Sequence, residues 1–349
     1  MKRMTIREIA RIAGVSRITV TRALQDNSSI KPETREKILE LCREYDYRPN
    51  MIATRLFGKT IRFCICGENL VSGFTTEILR GFQSAKEELF DFKVEIDIEI
   101  LENNDSGDID AQRTDLVKKV IEQKYDGIII CMSLSKEDIA VINASGIKTV
   151  CVNDIIYGIN SVFEVLNNCV LAGRMAFEIL SLGMGGNRKG NIAVFTGDTD
   201  LYKHKILKES FISEVTGMGF NVCAAYDTKD SVKLAEKYAD EMLAGGDISG
   251  IYISSANSIP VIDRIIASGK AGDIKIVASD IFPELSEYIK NGTVLATIFQ
   301  NPYRQARLAV MNLYYHIAEN REIPEILTIT PQIVMKSNLD VYEMTDEIL

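Results

Sequence analysis

From Ile61 onward, short apolar runs alternate with amphipathic stretches. IRFCIC, KVEIDIEIL, DGIIICM and IKTVCV read as strands, separated by helical patterns near 74–90, 110–123 and 136–144. The order then repeats with NIAVFTG, FNVCAAY, SGIYIS and IKIVAS, and helical patterns near 167–183, 204–217, 231–243 and 258–268. TVLATIFQ (293–300) begins a further strand, followed by a long helix from Pro302 to about Glu319. Strands alternating with helices predict parallel sheets covered on both faces, and two such series predict two similar lobes. Ligands in such folds bind at the carboxyl ends of the strands, here between the lobes.

The first sixty residues are patterned differently. Thr5 can cap a helix with Glu8 three residues on, the spacing of a capping box. Ile6, Ile9, Ala10 and Ala13 then share one face. Gly14 can take the left-handed conformation that ends this helix, Val15 is available to the core, and Ser16 can cap the next. That second helix, about 17–24, turns Val20, Ala23 and Leu24 inward and leaves Arg17, Ile18, Thr21 and Arg22 outward. A third, KPETREKILELCREYDY, starts at Pro32 and buries Ile38, Leu41 and Cys42. In RPNMIATRLFGKT (48–60), Pro49 breaks the preceding helix, Asn50 can cap a new one and Gly58 can stop it. About seven helical residues are unstable alone in water and need a partner.

Composition sharpens this division. At 349 residues the chain holds two or three domains. No run of about 18 apolar residues occurs and the N-terminus has early charges, so neither a membrane helix nor a signal peptide is expected, and a cytoplasmic location is. Seven scattered cysteines without a CxxC read as reduced core residues. Residues 1–60 carry 13 Lys and Arg against 7 Asp and Glu, a balance of +6; the remaining 289 carry 27 against 42, a balance of −15, which gives the net −9. Salt screens fields over roughly 8 Å, so a basic first unit can face phosphates despite an acidic remainder.

TIREIARIAGVSRITVTRAL, KPETREKILELCREYDYRPN and NMIATRLFGKT, in that order, resemble the LacI/GalR transcriptional regulators, and the later DIKIVASDIFPELSEYIKNGTVLATIFQNPYRQARLAV is similar to ribose-type periplasmic sugar-binding lobes. The resemblance covers nearly the whole chain. It implies a homodimer whose helix-turn-helix modules read near-palindromic double-stranded operator DNA, and a core that binds a small effector. Arg17 and Arg22 are the expected base readers, since guanidinium donates two hydrogen bonds to guanine, and Ile18 can touch a thymine methyl. Thr5, Ser16, Thr19, Thr21 and Asn27 or Ser28 suit phosphates. Thr21 and the Gln25-Asp26 pair depart from the family's usual residues. In relatives a hinge Leu wedges into the minor groove; Leu56 stands there, with Asn50 and Ala53 on the same DNA-facing hinge. The hinge then folds only when both copies meet on DNA, which supplies a switch.

For the effector, Asp280 in VASD and Gln300 in ATIFQNP match positions that bind sugar hydroxyls in ribose-type relatives. Phe74, Ser133, Asn153 and Asp154 fall in the corresponding loops, with capping or turn roles as the alternative. Two departures alter the pocket: Leu207 and Ser210 stand where relatives carry Arg and Gly, and SSANS replaces the usual Asn-Asp, leaving Ser254, Ser255 or Asn257 to fill in. Lys203, His204 and Lys205 suggest an acidic or phosphorylated sugar, against a solvated helix start.

The expected fold is an N-terminal all-α helix-turn-helix (1–48) and hinge helix (49–60), then a two-lobed periplasmic-binding-protein-like α/β core with parallel sheets (61–349). Its first lobe is expected at about 61–160 and 294–321, its second at about 161–293 and 322–349. With two histidines, no HExxH and no GxSxG, an enzyme is not expected. GMGGNRKG lacks the preceding strand of a phosphate loop. No cofactor, metal or membrane partner is expected; the effector is a sugar, polyol or sugar acid or phosphate. The ending SNLDVYEMTDEIL has no leucine heptad, which favours a dimer. A solute-binding protein without a regulatory role is the alternative, and it leaves residues 1–60 unexplained.

Overall fold

A computed structural model describes residues 6–24, 30–45, 60–69, 73–102, 108–185, 190–255 and 257–344. The chain divides into two compact units, Met1–Thr60 and Ile61–Leu349.

The first unit contains helices α1 (Ile6–Ala13), α2 (Arg17–Leu24) and α3 (Pro32–Glu44). Ile9, Ala10, Ala13, Val20, Ala23, Ile38 and Cys42 bury together as its core. Gly14 sits at φ +73°. There Val15 N donates to Ala10 O at 3.0 Å and Gly14 N to Arg11 O at 3.3 Å, the paired bonds of a Schellman termination. Ser16 Oγ then accepts from Thr19 N at 3.0 Å and caps α2. Two cations of α3 satisfy helix-end carbonyls: Lys37 Nζ donates to Ala13 O and Arg35 Nε to Ala23 O, each at 3.3 Å. Thr5, Asn27, Ser28 and the hinge residues Asn50, Ala53 and Leu56 lie outside the described residues, and Thr21 is described in its backbone alone.

The second unit is built on two six-stranded sheets. The first contains β1 (Ile61–Asn69), β2 (Val94–Glu102), β3 (Gly127–Cys131), β4 (Lys148–Val152), β5 (Ser161–Asn167) and β11 (Ile326–Ile329), in the order β2-β1-β3-β4-β5-β11 and parallel throughout. The second contains β6 (Asn191–Thr196), β7 (Asn221–Asp227), β8 (Gly250–Ile253), β9 (Lys275–Ser279), β10 (Ala296–Phe299) and β12 (Gln332–Val334), in the order β7-β6-β8-β9-β10-β12, with β12 antiparallel. The central strands are buried on both faces, as Ile128, Ile129 and Ile130 are, which is why they read as unbroken apolar runs.

Helices α4 (Gly73–Glu88), α5 (Ile109–Glu122), α6 (Lys136–Ser145) and α12 (Pro302–Glu319) belong to the first lobe. Helix α12 lies so close to α4 that a Cβ on Gly81 would stand 2.3 Å from Tyr303 O. The second lobe carries α7 (Cys169–Gly183), α8 (Tyr202–Gly217), α9 (Val232–Ala244), α10 (Ser258–Ala267), α11 (Pro283–Lys290) and α13 (Leu339–Met344).

Sheet membership moves the lobe boundaries expected from sequence. Residues 161–167 pair with β4 in the first sheet, not the second. Residues 296–299 pair with β9 in the second sheet, not the first, and 326–329 return to the first beside β5. The chain therefore passes between lobes at residues 167–169, 300–302 and 329–332. Apolar texture cannot place these crossings, because a strand reads alike in either sheet.

Candidate functional site

A cleft of about 380 Å³ lies between the lobes, at the carboxyl ends of the strands. The first lobe contributes Phe74 from α4, Met132 and Ser133 after β3, and Asn153 through Tyr157 after β4. Facing them from the second are Tyr202, Lys203 and His204 of α8, Asp230, Ser254, Asp280 and Gln300. Of the residues expected from sequence, Phe74, Ser133, Asn153, Asp154, His204, Asp280 and Gln300 all line it. Asn257 does not: it stands at the N-cap of α10, its Nδ2 buried without a hydrogen-bond partner among the described residues, and among the described residues of SSANS Ser254 alone reaches the wall.

Asp280 sits at φ +65°, a left-handed backbone that Asp tolerates better than most residues. Gln300 Nε2 donates to its Oδ2 at 2.9 Å and Gln300 N to its Oδ1 at 3.3 Å. Asn167 Nδ2 in turn donates to Gln300 Oε1 at 3.1 Å, which fixes the amide's orientation. Desolvation pushes the Asp280 carboxyl up to about 7, against the pull of Gln300 and Lys203. Asn153, also at positive φ, is 9% exposed, and its side-chain amide has no partner among the described residues.

Asp154 reaches across the cleft. Its Oδ1 accepts from Ile155 N at 2.9 Å and from Lys203 N, in the first turn of α8, at 3.1 Å. Burial raises its pKa, countered by Lys203. The Lys203 ammonium lies 5.9 Å from the Phe74 ring centroid. Of the expected basic trio it alone brings positive charge into the cleft. Burial and the adjacent Lys203 push His204 down to about 3, so its imidazole is neutral, and Lys205 is exposed and away from the wall. Leu207, at the position of the relatives' Arg, lines the cleft as an apolar side chain, and Ser210 donates to Val170 O at 2.8 Å instead.

Sequence reasoning missed Glu68, Tyr157, Tyr202 and Asp230. Two of them were findable, since Glu68 closes β1 and Asp230 follows β7, both at carboxyl ends. Glu68 is gripped by Arg113 through both oxygens. Asp230 Oδ2 accepts from Asp198 N at 3.3 Å, and burial raises its pKa against the pull of Lys203. Cys131 and Cys169 also face the cleft, and burial pushes both thiols up to about 11, leaving them unreactive at neutral pH. Among the described residues, no group of three His, Cys, Asp or Glu is placed to hold a metal ion, and no helix is long and apolar enough to cross a membrane.

In the first unit Arg17, Ile18 and Arg22 are exposed on α2, Ile18 at 65%. Ser16 and Thr19 hydroxyls lie 2.8 Å apart at the same helix end. The arrangement offers Arg17, an apolar tip and hydroxyls around the N-terminus of α2, with Arg22 in its last turn.

A family profile described as "Periplasmic binding protein domain" matches residues 63–321, and one described as "Bacterial regulatory proteins, lacI family" matches residues 5–50. The HTH-type transcriptional regulator RegA of Clostridium saccharobutylicum is 34% identical over 153 residues, 42% of this chain and 43% of RegA. That alignment therefore spans less than half of RegA. The ribose operon repressor of Lactococcus lactis subsp. lactis is 27% identical over 326 residues, 91% of this chain and 92% of the repressor. Among solved structures, GanP, a glucose-galactose binding protein from Geobacillus stearothermophilus, superposes at a TM-score of 0.70 with 22% identity, covering 81% of this chain and 99% of GanP. A solute binding protein from Actinobacillus succinogenes with bound D-allose gives 0.71 at 18% identity, covering 81% and 100%. At such identities these structures speak for the fold alone.

Proposed function

This chain belongs to the lacI family of bacterial regulatory proteins, its residues 63–321 forming a periplasmic binding protein domain, and from that membership we propose that it is a transcriptional repressor switched by a sugar or sugar derivative. One observation carries the reading. The same chain presents Arg17, Ile18 and Arg22 on an exposed helix and encloses a cleft lined by Asn153, Asp280 and Gln300.

In this reading α2 enters the major groove of operator DNA, where its N-terminal side chains meet base edges. Arg17 and Arg22 read bases, Ile18 contacts a thymine methyl, and Ser16, Thr19 and Thr21 face phosphates. Two copies bind a palindromic site as a homodimer in the cytoplasm, each with Leu56 wedged at the centre. The effector binds between the lobes, with Asp280 and Gln300 on its hydroxyls. The names of RegA and the ribose operon repressor, both regulators, support the first half; the polar groups of Asn153, Asp280 and Gln300 in the cleft support the second. A solute-binding role alone leaves Ile18 exposed with nothing to contact.

Genome-wide footprinting of the purified protein, repeated with a panel of sugars, tests both halves. Protection of a few palindromic sites that shifts with one sugar is expected. Sequence-independent protection that no sugar alters overturns the reading.

A further inference from the structure

The charges inside the cleft do not balance. Glu68 is paired with Arg113, and Asp200 with Lys229 at 3.0 Å. Asp154, Asp230 and Asp280 have no cationic side chain within ion-pair distance among the described residues, since the one near approach, His204 Nε2 to Asp230 Oδ2 at 3.7 Å, involves a neutral ring. Facing these three carboxylates is one interior ammonium, that of Lys203, held over Phe74. Lys136 stands exposed at the rim, and among the described residues no arginine lines the cleft, Leu207 taking the place where one is expected. The Asn153 amide, nine-tenths buried and unpartnered among the described residues, also faces this space.

We propose that the cleft takes a hydroxyl-rich molecule carrying a protonated amine, an amino sugar or amino polyol, rather than a sugar acid or phosphate. The inference rests on the sugar-cleft reading and names the class of its ligand. A buried charge is tolerated only when paired. A ligand carboxylate or phosphate would add a further negative group to carboxyls that already compete for Lys203. An ammonium instead supplies the missing counter-charge. Asp154 and Asp280 each keep lone pairs beyond those used by Lys203 N and Gln300, so both can accept from it. Asn153 and Ser133 are left for hydroxyls, which need groups that both donate and accept. All three carboxyls are raised by burial and lowered by the same lysine, as expected of a site short of one cation.

Titration calorimetry on the full chain with matched sets tests this: D-glucosamine, D-glucose and D-glucuronate, then 1-amino-1-deoxysorbitol, sorbitol and gluconate. The amine of at least one set should bind at least tenfold tighter than its neutral partner, about 1.4 kcal/mol, with the acid weakest. Asp154→Asn, which keeps an oxygen for Lys203 N and removes only the charge, should shrink that ratio below threefold. Tightest binding by a neutral or acidic member, or an unchanged ratio in Asp154→Asn, overturns the charge inference and leaves the sugar-cleft reading standing. Binding by none of the six removes both.

Discussion

Asp154 caps a helix in the opposite lobe: its Oδ1 accepts from Lys203 N at 3.1 Å, where the N-cap residue Leu201 has no side-chain acceptor to offer. Other contacts beside it also join the lobes. Tyr157 and Tyr202 meet edge to face with centroids 6.3 Å apart, and Gly73 lies so close to Phe282 that a Cβ there would stand 2.4 Å from the Phe282 Cβ. Because Asp154, Tyr157, Tyr202 and Lys203 also line the cleft, any occupant touches the groups that hold the lobes together.

Removing that cap should loosen the closure. Asp154→Ala loses a helix cap, typically about 1 kcal/mol, and should lower Tm by roughly 2–4 °C while raising the radius of gyration in small-angle scattering. Asp154→Asn retains the acceptor and sheds a buried charge, so its radius of gyration should match the parent's and its Tm should be no lower. Equal Tm and scattering for the Ala variant and the parent would deny Asp154 any part in closure.

Asp280 makes stability fall as pH rises. Its carboxyl titrates near 7 in the folded chain against 3.8 when unperturbed, so the folded state holds the proton more tightly and gains most below about pH 4. That gain is lost as pH climbs through 7. Asp280→Asn cannot ionise and suits the same positive φ. Its Tm relative to the parent should rise by roughly 2–6 °C between pH 4 and pH 8, while effector affinity falls. A pH-independent difference in Tm would place the carboxyl in a water-like environment.

His204 acts in the opposite sense. Its pKa falls from 6.5 to about 3 on folding, so the unfolded chain binds the proton more readily and stability is lost as pH drops from 6.5 towards 3. His204→Gln removes this limb. Thermal unfolding at pH 7.5 and pH 4.5 should show the variant losing less Tm on acidification than the parent; an equal loss would mean the imidazole is protonated in the folded state.

Much of this was legible in the chain because each feature is local. Gly14 and Ser16 announce the turn between α1 and α2 through backbone demands that depend on few neighbours. Fully buried strands such as Ile128–Ile130 show as apolar runs, and Asp280 and Gln300 follow strand ends where ligands bind. What escaped depends on partners distant in sequence. Asp154 looks like a ligand-facing or turn residue until Lys203 arrives from the other lobe, 49 positions on. His204 looks cationic until burial neutralises it. β5, SVFEVLN, runs almost directly into the apolar helix CVLAGRMAFEILSLG, so nothing local says that a lobe boundary falls between them.

The exposed face of α2 divides into positions that should respond differently to substitution. Ile18 is 65% exposed and lies outside the buried core, so replacing it should leave folding nearly unchanged. Arg17→Ala and Arg22→Ala should each weaken the preferred operator by about 10- to 100-fold, the worth of a bidentate guanine contact, and relax the choice of base at one position per half-site. Ile18→Ala should relax a thymine instead. Thr19→Ala, beside the Ser16 cap, should weaken all sequences alike, because phosphates carry no sequence information. Selection of bound sequences from a random pool, run on the four variants at one fixed salt concentration, distinguishes these outcomes. Identical base preferences for Arg17→Ala and the parent would remove Arg17 from the readout and shift the assignment to Arg22.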